Sequence, residues 1–156
     1  MKRYLEAIKL CYAHYRQPLC LRDVSFEVSK GKKLLLLGVA EVGKTTLLKS
    51  ICGFDKTYIG EVRFDGKNIK TIKDEEKKFS LLLSDPVIVK GSVRKNIDYL
   101  CEIENLPKIS KEELLEVFKK FGFDKNEEDN VKSLSLLEKR VLAMIRTYLK
   151  KPKAVF

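Results

Sequence analysis

The chain has 156 residues, of which 44% are hydrophobic and 35% charged, with a formal net charge of +10. That length makes one domain the expectation, and the apolar share suffices for a core. No apolar run approaches the roughly 20 residues of a membrane-spanning helix, and Met1 to Glu6 lacks the apolar stretch of a secretion signal, so a cytosolic chain is expected.

The four cysteines, Cys11, Cys20, Cys52 and Cys101, form no C-x-x-C pair, and His14 is the sole histidine. These spacings argue against a Cys/His metal cluster and for reduced, small core residues. The lysines are spread along the chain and lie beside acids, as in Asp74-Glu75-Glu76-Lys77-Lys78. That pattern reads as a solvated ionic surface. No zinc finger, aromatic RNA platform or basic dimerisation helix is present, so no direct nucleic-acid contact is expected.

In chain order, residues 1–37 read as strands and turns. Val24, Phe26 and Val28 alternate with polar neighbours, the period of a half-buried strand. Ser29-Lys30-Gly31-Lys32 is a turn signal. Lys33-Leu34-Leu35-Leu36-Leu37 is then a short continuous apolar run, which predicts a strand buried on both faces of a parallel sheet.

Gly38-Val39-Ala40-Glu41-Val42-Gly43-Lys44-Thr45 fits the phosphate-binding pattern G-x-x-x-x-G-K-[ST]. Such a loop presents backbone N–H groups to a polyanion, and the helix that follows adds the positive end of its dipole. Gly38 and Gly43 allow the tight path. Lys44 is the candidate catalytic residue, reaching the β/γ-phosphates, and the Thr45 hydroxyl is the candidate Mg²⁺ ligand. Thr45 to Cys52 carries Leu47, Leu48 and Ile51 on one helical face, and Gly53 is its stop signal.

Gly60 to Lys67 reads as a strand closed by an Asp65-Gly66 turn. Phe79 to Leu83 reads as a short strand ended by Ser84-Asp85-Pro86. The second half is helical. Ser110 and Glu113 have capping-box spacing, Leu114, Leu115, Val117, Phe118 and Phe121 share a face, and Gly122 ends that helix. Asp124 to Lys132 is a polar connection. A longer helix follows with Leu134, Leu137, Val141, Leu142, Ile145, Tyr148 and Leu149 in one stripe, stopped by Pro152. Lys153-Ala154-Val155-Phe156 reads as the opening of another buried strand.

The order of these parts resembles the nucleotide-binding domain of ATP-binding cassette (ABC) transporters. Leu21-Arg22-Asp23-Val24-Ser25-Phe26 with Lys30-Gly31-Lys32 is similar to that family's entry to the P-loop. Gly60 to Gly66 is similar to its G-x-I-x-x-D-G hairpin, and Asp85-Pro86 through Gly91-Ser92-Val93-Arg94-Lys95-Asn96-Ile97 to its Q-D-P…R-x-N-I segment. Leu134-Ser135, with Arg146 and Pro152 beyond, fits its signature-helix frame. The resemblance implies an α/β fold: a P-loop NTPase core of ABC type, with an antiparallel β subdomain and a helical subdomain at about residues 92–132. It makes residues 1–156 a single partial domain, incomplete at the C-terminus.

The resemblance also implies the ligands. ATP and Mg²⁺ would be held by Gly38, Val39, Ala40, Glu41, Val42, Gly43, Lys44, Thr45 and Thr46, with the metal on Thr45. Tyr12 is the candidate aromatic under the adenine ring, Tyr15 the alternative, and an ordinary strand tyrosine the structural reading of equal weight. Ser84 stands where the family has a metal-ligating glutamine. Glu41 stands where it usually has glycine.

The signature L-S-G-G-Q reads here Leu134-Ser135-Leu136-Leu137-Glu138. Two leucines add bulk, and Ser135 and Glu138 have the spacing to cap their own helix. The family's Asp-Glu pair would follow Pro152, and the chain stops at Phe156. The implied partners are a second nucleotide-binding domain, in a homo- or heterodimer, and a transmembrane transporter domain. The implied location is cytoplasmic and peripheral to the membrane. The expectation is an ATPase by family whose 156 residues alone bind ATP without hydrolysing it. The alternatives are a non-hydrolysing regulatory module and a soluble ABC protein acting on nucleic acid or the ribosome.

Overall fold

A computed structural model describes residues 3–13, 19–72 and 79–156. His14, Tyr15 and the acidic–basic run Asp74 to Lys78 fall outside them. Two compact units result, one formed by residues 1–81 with Phe156 and the other by residues 82–155.

The first unit is built on an antiparallel sheet. Strand β1 (Arg3–Ala13) pairs with β2 (Leu19–Ser29) on one side and with β3 (Ile59–Phe64) on the other. A short β4 (Lys67–Asn68) extends β3, giving the order β2-β1-β3-β4. The buried residues of β1 are Leu5, Ala7, Leu10 and Tyr12, so the alternation slips by one residue after Ala7. The slip is a bulge at Lys9, whose φ is 47° and whose N–H donates to Ser25 Oγ at 2.9 Å. The extra residue returns Leu10 and Tyr12 to the core face. Opposite the bulge, Gly60 has φ 103°, and any Cβ there would collide with the Ile8 and Lys9 carbonyls. The Asp65-Gly66 turn has both residues at positive φ, 49° and 81°, which matches the twist of a tight hairpin.

Helix α1 (Lys44–Ile51) buries Leu47, Ser50 and Ile51 in the same unit. Phe64 stacks on Tyr4 at 4.5 Å and on Phe79 at 4.4 Å between ring centroids. Phe79 opens the two-residue strand β5 (Phe79–Ser80), shorter than the run to Leu83 that the sequence predicts.

The predicted buried strand at 33–37 is not formed. Residues 32–39 lie in no strand, and Leu34, Leu35 and Leu37 are 48, 76 and 83% exposed. A parallel strand buries both faces only when neighbours on each side supply its ladder. Among the described residues no strand does so for this run.

The second unit is helical: α2 (Val93–Ile103), α3 (Lys111–Phe121), a single 3₁₀ turn (Val131–Ser133) and α4 (Leu136–Lys150), followed by β6 (Ala154–Val155). Its core joins Val93, Ile97 and Leu100 of α2 to Leu114 and Phe118 of α3 and Leu142, Ile145 and Leu149 of α4. Ser110 caps α3 by accepting from the Glu113 N–H at 3.1 Å, and Gly122 ends it in the left-handed conformation. Leu115, Leu137 and Tyr148 are 44, 69 and 41% exposed, so the predicted apolar stripes are wider than the faces that pack.

Helix α2 carries a fully buried polar residue. The Asn96 carboxamide accepts from Val89 N–H and donates to Val89 O, both at 2.9 Å, and to Ser92 O at 3.0 Å. It fixes the segment leading into the helix. The same segment is held by α4, where Arg140 Nε donates to Ser84 O and Arg146 Nη1 to Val87 O, each at 2.8 Å.

Candidate functional site

The loop from Gly38 to Gly43 runs directly into α1. Gly43 is the N-cap residue at φ 97° and contributes no side-chain cap, and the first turn holds no acid. The first i→i−4 bond, from Leu47 N–H to Gly43 O, is 2.8 Å. Among the described residues nothing accepts from the amides before it, which is the condition for receiving an anion. Gly43 is also required by packing, because a Cβ would sit 3.0 Å from Cys20 O and 3.2 Å from Leu21 Cδ2 of strand β2.

Lys44 Nζ donates to Gly38 O at 2.8 Å and to Val39 O at 2.6 Å, so the ammonium already lies within the loop. Val39, Ala40, Glu41 and Val42 are exposed along its crest, and Thr45 is exposed one residue into the helix. Thr46 is half-buried, and its carbonyl accepts from Ser50 Oγ at 2.9 Å. Glu41 holds φ 62°, the left-handed conformation that glycine adopts without strain. Free amides, a cation and a hydroxyl at one helix entry form a donor set that fits a phosphate chain with Mg²⁺.

Tyr12, the candidate aromatic, lies in β1. It is 8% exposed, and its hydroxyl donates to Asp55 Oδ2 at 2.6 Å. Asp55 Oδ1 also accepts from Thr57 N–H at 2.9 Å and from Thr57 Oγ1 at 2.6 Å. The bond to Asp55 holds the Tyr12 phenol above its usual pKa. The Tyr12 ring thus lies on the core face of β1 with its hydroxyl held by Asp55. Tyr15 lies outside the described residues.

Ser84 is an exposed bend residue of the second unit, while Thr45 belongs to the first. The cysteines are free thiols; burial pushes Cys52 up to about 12, which keeps it protonated and inert.

The segment Leu134 to Glu138 forms the entry to α4. Leu134 is buried, and Leu136 and Leu137 are 49 and 69% exposed. Ser135 Oγ accepts from Glu138 N–H at 3.2 Å, while Glu138 Oε2 accepts from Ser135 N–H at 2.6 Å. The capping box read from the sequence is therefore formed. Glu138 Oε1 also pairs with Lys125 Nζ at 3.1 Å. The Ser135 hydroxyl and amide, and then Lys125, hold the Glu138 carboxyl down to about 2. The Lys125 pairing and the structural role of Asn96 were not read from the sequence. Both depend on segments brought together only by the fold.

The sequence pattern of the loop, its entry into α1 and the free donors there are the features to set beside known proteins. A family model described as "ABC transporter" matches residues 21–156, and the chain belongs to that family. An ABC transporter ATP-binding protein of Clostridium tetani is 31% identical over 153 residues, covering 96% of this chain and 35% of the relative. The spermidine/putrescine import ATP-binding protein PotA of Mesoplasma florum is 27% identical over 143 residues, covering 90% and 41%. The chain thus spans well under half the length of these two relatives. Among solved structures, a bacterial Atm1-family ABC exporter with ATP bound superposes with a TM-score of 0.85 at 20% identity, over 99% of this chain and 28% of that one. CbiO1 of Clostridium perfringens, part of the ABC transporter complex cbiONQ, gives 0.76 at 21% identity, over 99% and 64%. These likenesses establish the fold of an ABC ATPase domain.

Proposed function

We propose that the chain is the ATP-binding part of an ABC transporter and takes the magnesium complex of a nucleoside triphosphate on residues 38–46. The observation that carries this reading is the uncapped, acid-free entry to α1 with Lys44 Nζ inside the loop. On binding, the ammonium exchanges its two carbonyl acceptors for β/γ-phosphate oxygens. The amides of residues 39–45 would hold the remaining charge and Thr45 Oγ1 would ligate the metal; by its place in the sequence alone, Ser84 is proposed as a further ligand. The metal supplies charge neutralisation on the transferring group.

Titration with a fluorescent ATP analogue and Mg²⁺ tests the site. Lys44→Ala removes the cation and is expected to weaken binding about a hundredfold, roughly 2.7 kcal/mol. Equal affinity in the folded wild type and variant would overturn the assignment.

The wider role follows the relatives. Residues 1–156 form one nucleotide-binding domain with a helical subdomain at about 92–132. It pairs with a second such domain and sits on a transmembrane transporter domain at the cytoplasmic side of a membrane. Among the described residues, no helix is long and apolar enough to cross a membrane, so membrane attachment would come through that partner. These 156 residues alone are proposed to bind ATP without turnover, since the Ser84 side chain is shorter than the glutamine it replaces and the entry to α4 is closed from within. Phosphate release at saturating ATP checks this: release above background that Lys44→Ala abolishes would overturn it.

A second reading is favoured by α4. Leu136, Leu137 and the Ser135–Glu138 box make its entry a poor receptor for the γ-phosphate of a facing nucleotide. The chain would then act as the degenerate half of an asymmetric pair or as a regulatory nucleotide-binding module.

A further inference from the structure

Glu41 is the sole acid between Glu27 and Asp55, a stretch that carries Lys30, Lys32, Lys33, Lys44 and Lys49. Its backbone holds φ 62°. A residue with a Cβ is disfavoured there and glycine is not. The path of the loop therefore demands a conformation that glutamate occupies at a cost, and the side chain is the reason to look for a role. Its carboxylate is exposed and makes no ion pair or hydrogen bond among the described residues. Lys44, three residues on, is engaged with Gly38 O and Val39 O and does not neutralise it. A bare negative charge thus sits on the crest of a loop whose other features attract anions.

We propose that Glu41 makes this loop select the magnesium complex of a nucleoside triphosphate over the free polyanion. The inference rests on the reading of residues 38–46 as a nucleotide site. Repulsion between Glu41 and the ligand grows with the ligand's charge. The free triphosphate carries the larger charge, and a bound divalent cation removes part of it. Carboxylate and phosphate oxygens are both hard donors that such a cation accepts. Glu41 therefore penalises the free form most and the complex least.

Calorimetric titration with ATP tests this, in EDTA and in excess magnesium chloride at one ionic strength, because screening would otherwise mimic the effect. Selectivity is the ratio of the two Kd values. Glu41→Gln keeps the side-chain size and the backbone strain and removes only the charge; Glu41→Gly removes both. The ratio is expected to fall about tenfold in Glu41→Gln, equal to about 1.4 kcal/mol, mainly through tighter binding of free ATP. Glu41→Gly should lower it as much, and it alone should raise the melting midpoint without nucleotide. An unchanged ratio in Glu41→Gln overturns the proposal, including when Glu41→Gly by itself tightens binding, since position 41 would then act through its backbone. Lys44→Ala is the parallel control: binding equal to wild type would overturn the nucleotide reading itself, and this proposal with it.

Discussion

Two helix entries in this chain meet the same physical problem and solve it in opposite ways. Every α-helix begins with backbone N–H groups that lack an intrahelical acceptor. At α1 the residue before the helix is Gly43, no side chain caps it, and the first turn holds no acid. At α4 the Ser135 hydroxyl and the Glu138 carboxylate close a reciprocal box, and Lys125 balances the charge. The first entry stays available to an outside anion. The second is satisfied from within, so its amides have no donors to offer one. Helix geometry alone therefore does not make an anion site; the identity of the capping residue and of the third helical residue decides it.

The comparison can be broken by transplanting the device. Thr46 is the third residue of α1, the position that Glu138 occupies in α4. Thr46→Glu places a carboxylate against the free amides and should weaken binding of the ATP analogue at least tenfold, about 1.4 kcal/mol or more. Thr46→Gln, of the same size and without charge, should lose much less. Similar losses in both would trace the effect to size at a half-buried position and leave the electrostatic contrast unsupported.

What was legible in the sequence was local. The Asp65-Gly66 turn, the Gly122 stop and the Ser135–Glu138 box each depend on residues within four positions of one another, and each formed as read. The phosphate-binding pattern was legible because it fixes residue types at fixed spacing. Residues 1–37 were read as strands and turns, but the phase of β1 was obscured by its bulge: Leu5 and Ala7 fall on one phase of the alternation and Leu10 and Tyr12 on the other. Helix α2 was hidden by Asn96, a polar residue in the middle of its buried face. The leucine run at 34–37 was misread because burial is a property of neighbours, which a run of leucines does not supply. Burial of Tyr12 and the carbonyl partners of Lys44 likewise depend on the tertiary path.

A smaller effect sharpens the α4 side of the comparison. Ser135→Ala deletes the acceptor for the Glu138 N–H and half of the box. Loss of such a cap costs about 1 kcal/mol, read as a lower urea midpoint with an unchanged slope. The Ser135→Asp substitution supplies another good cap and should recover most of that loss. No loss in Ser135→Ala would mean that water serves this helix end as well as the serine does, and the entry could not then be called closed.

The smallest effect concerns acid. The Glu138 carboxyl lies at about 2 in the folded chain, below the ordinary value of 4.5. A carboxyl whose folded pKa is depressed contributes stability that is full above its unfolded pKa and is lost as the pH falls through its folded one. The window is therefore between about 4.5 and about 2. In Glu138→Gln the amide can still accept from the Ser135 N–H, but it carries no charge for Lys125 and does not titrate. The stability difference between wild type and Glu138→Gln should be constant above pH 4.5 and shrink as the pH is lowered toward 2. Urea midpoints of the two proteins across that range measure it, and taking the difference cancels every other titrating group that the substitution leaves alone. A difference that stays flat would mean that Glu138 titrates alike in the folded and unfolded chains. The box would then be an arrangement without energetic weight, and α4 would lose the feature that sets its entry apart from that of α1.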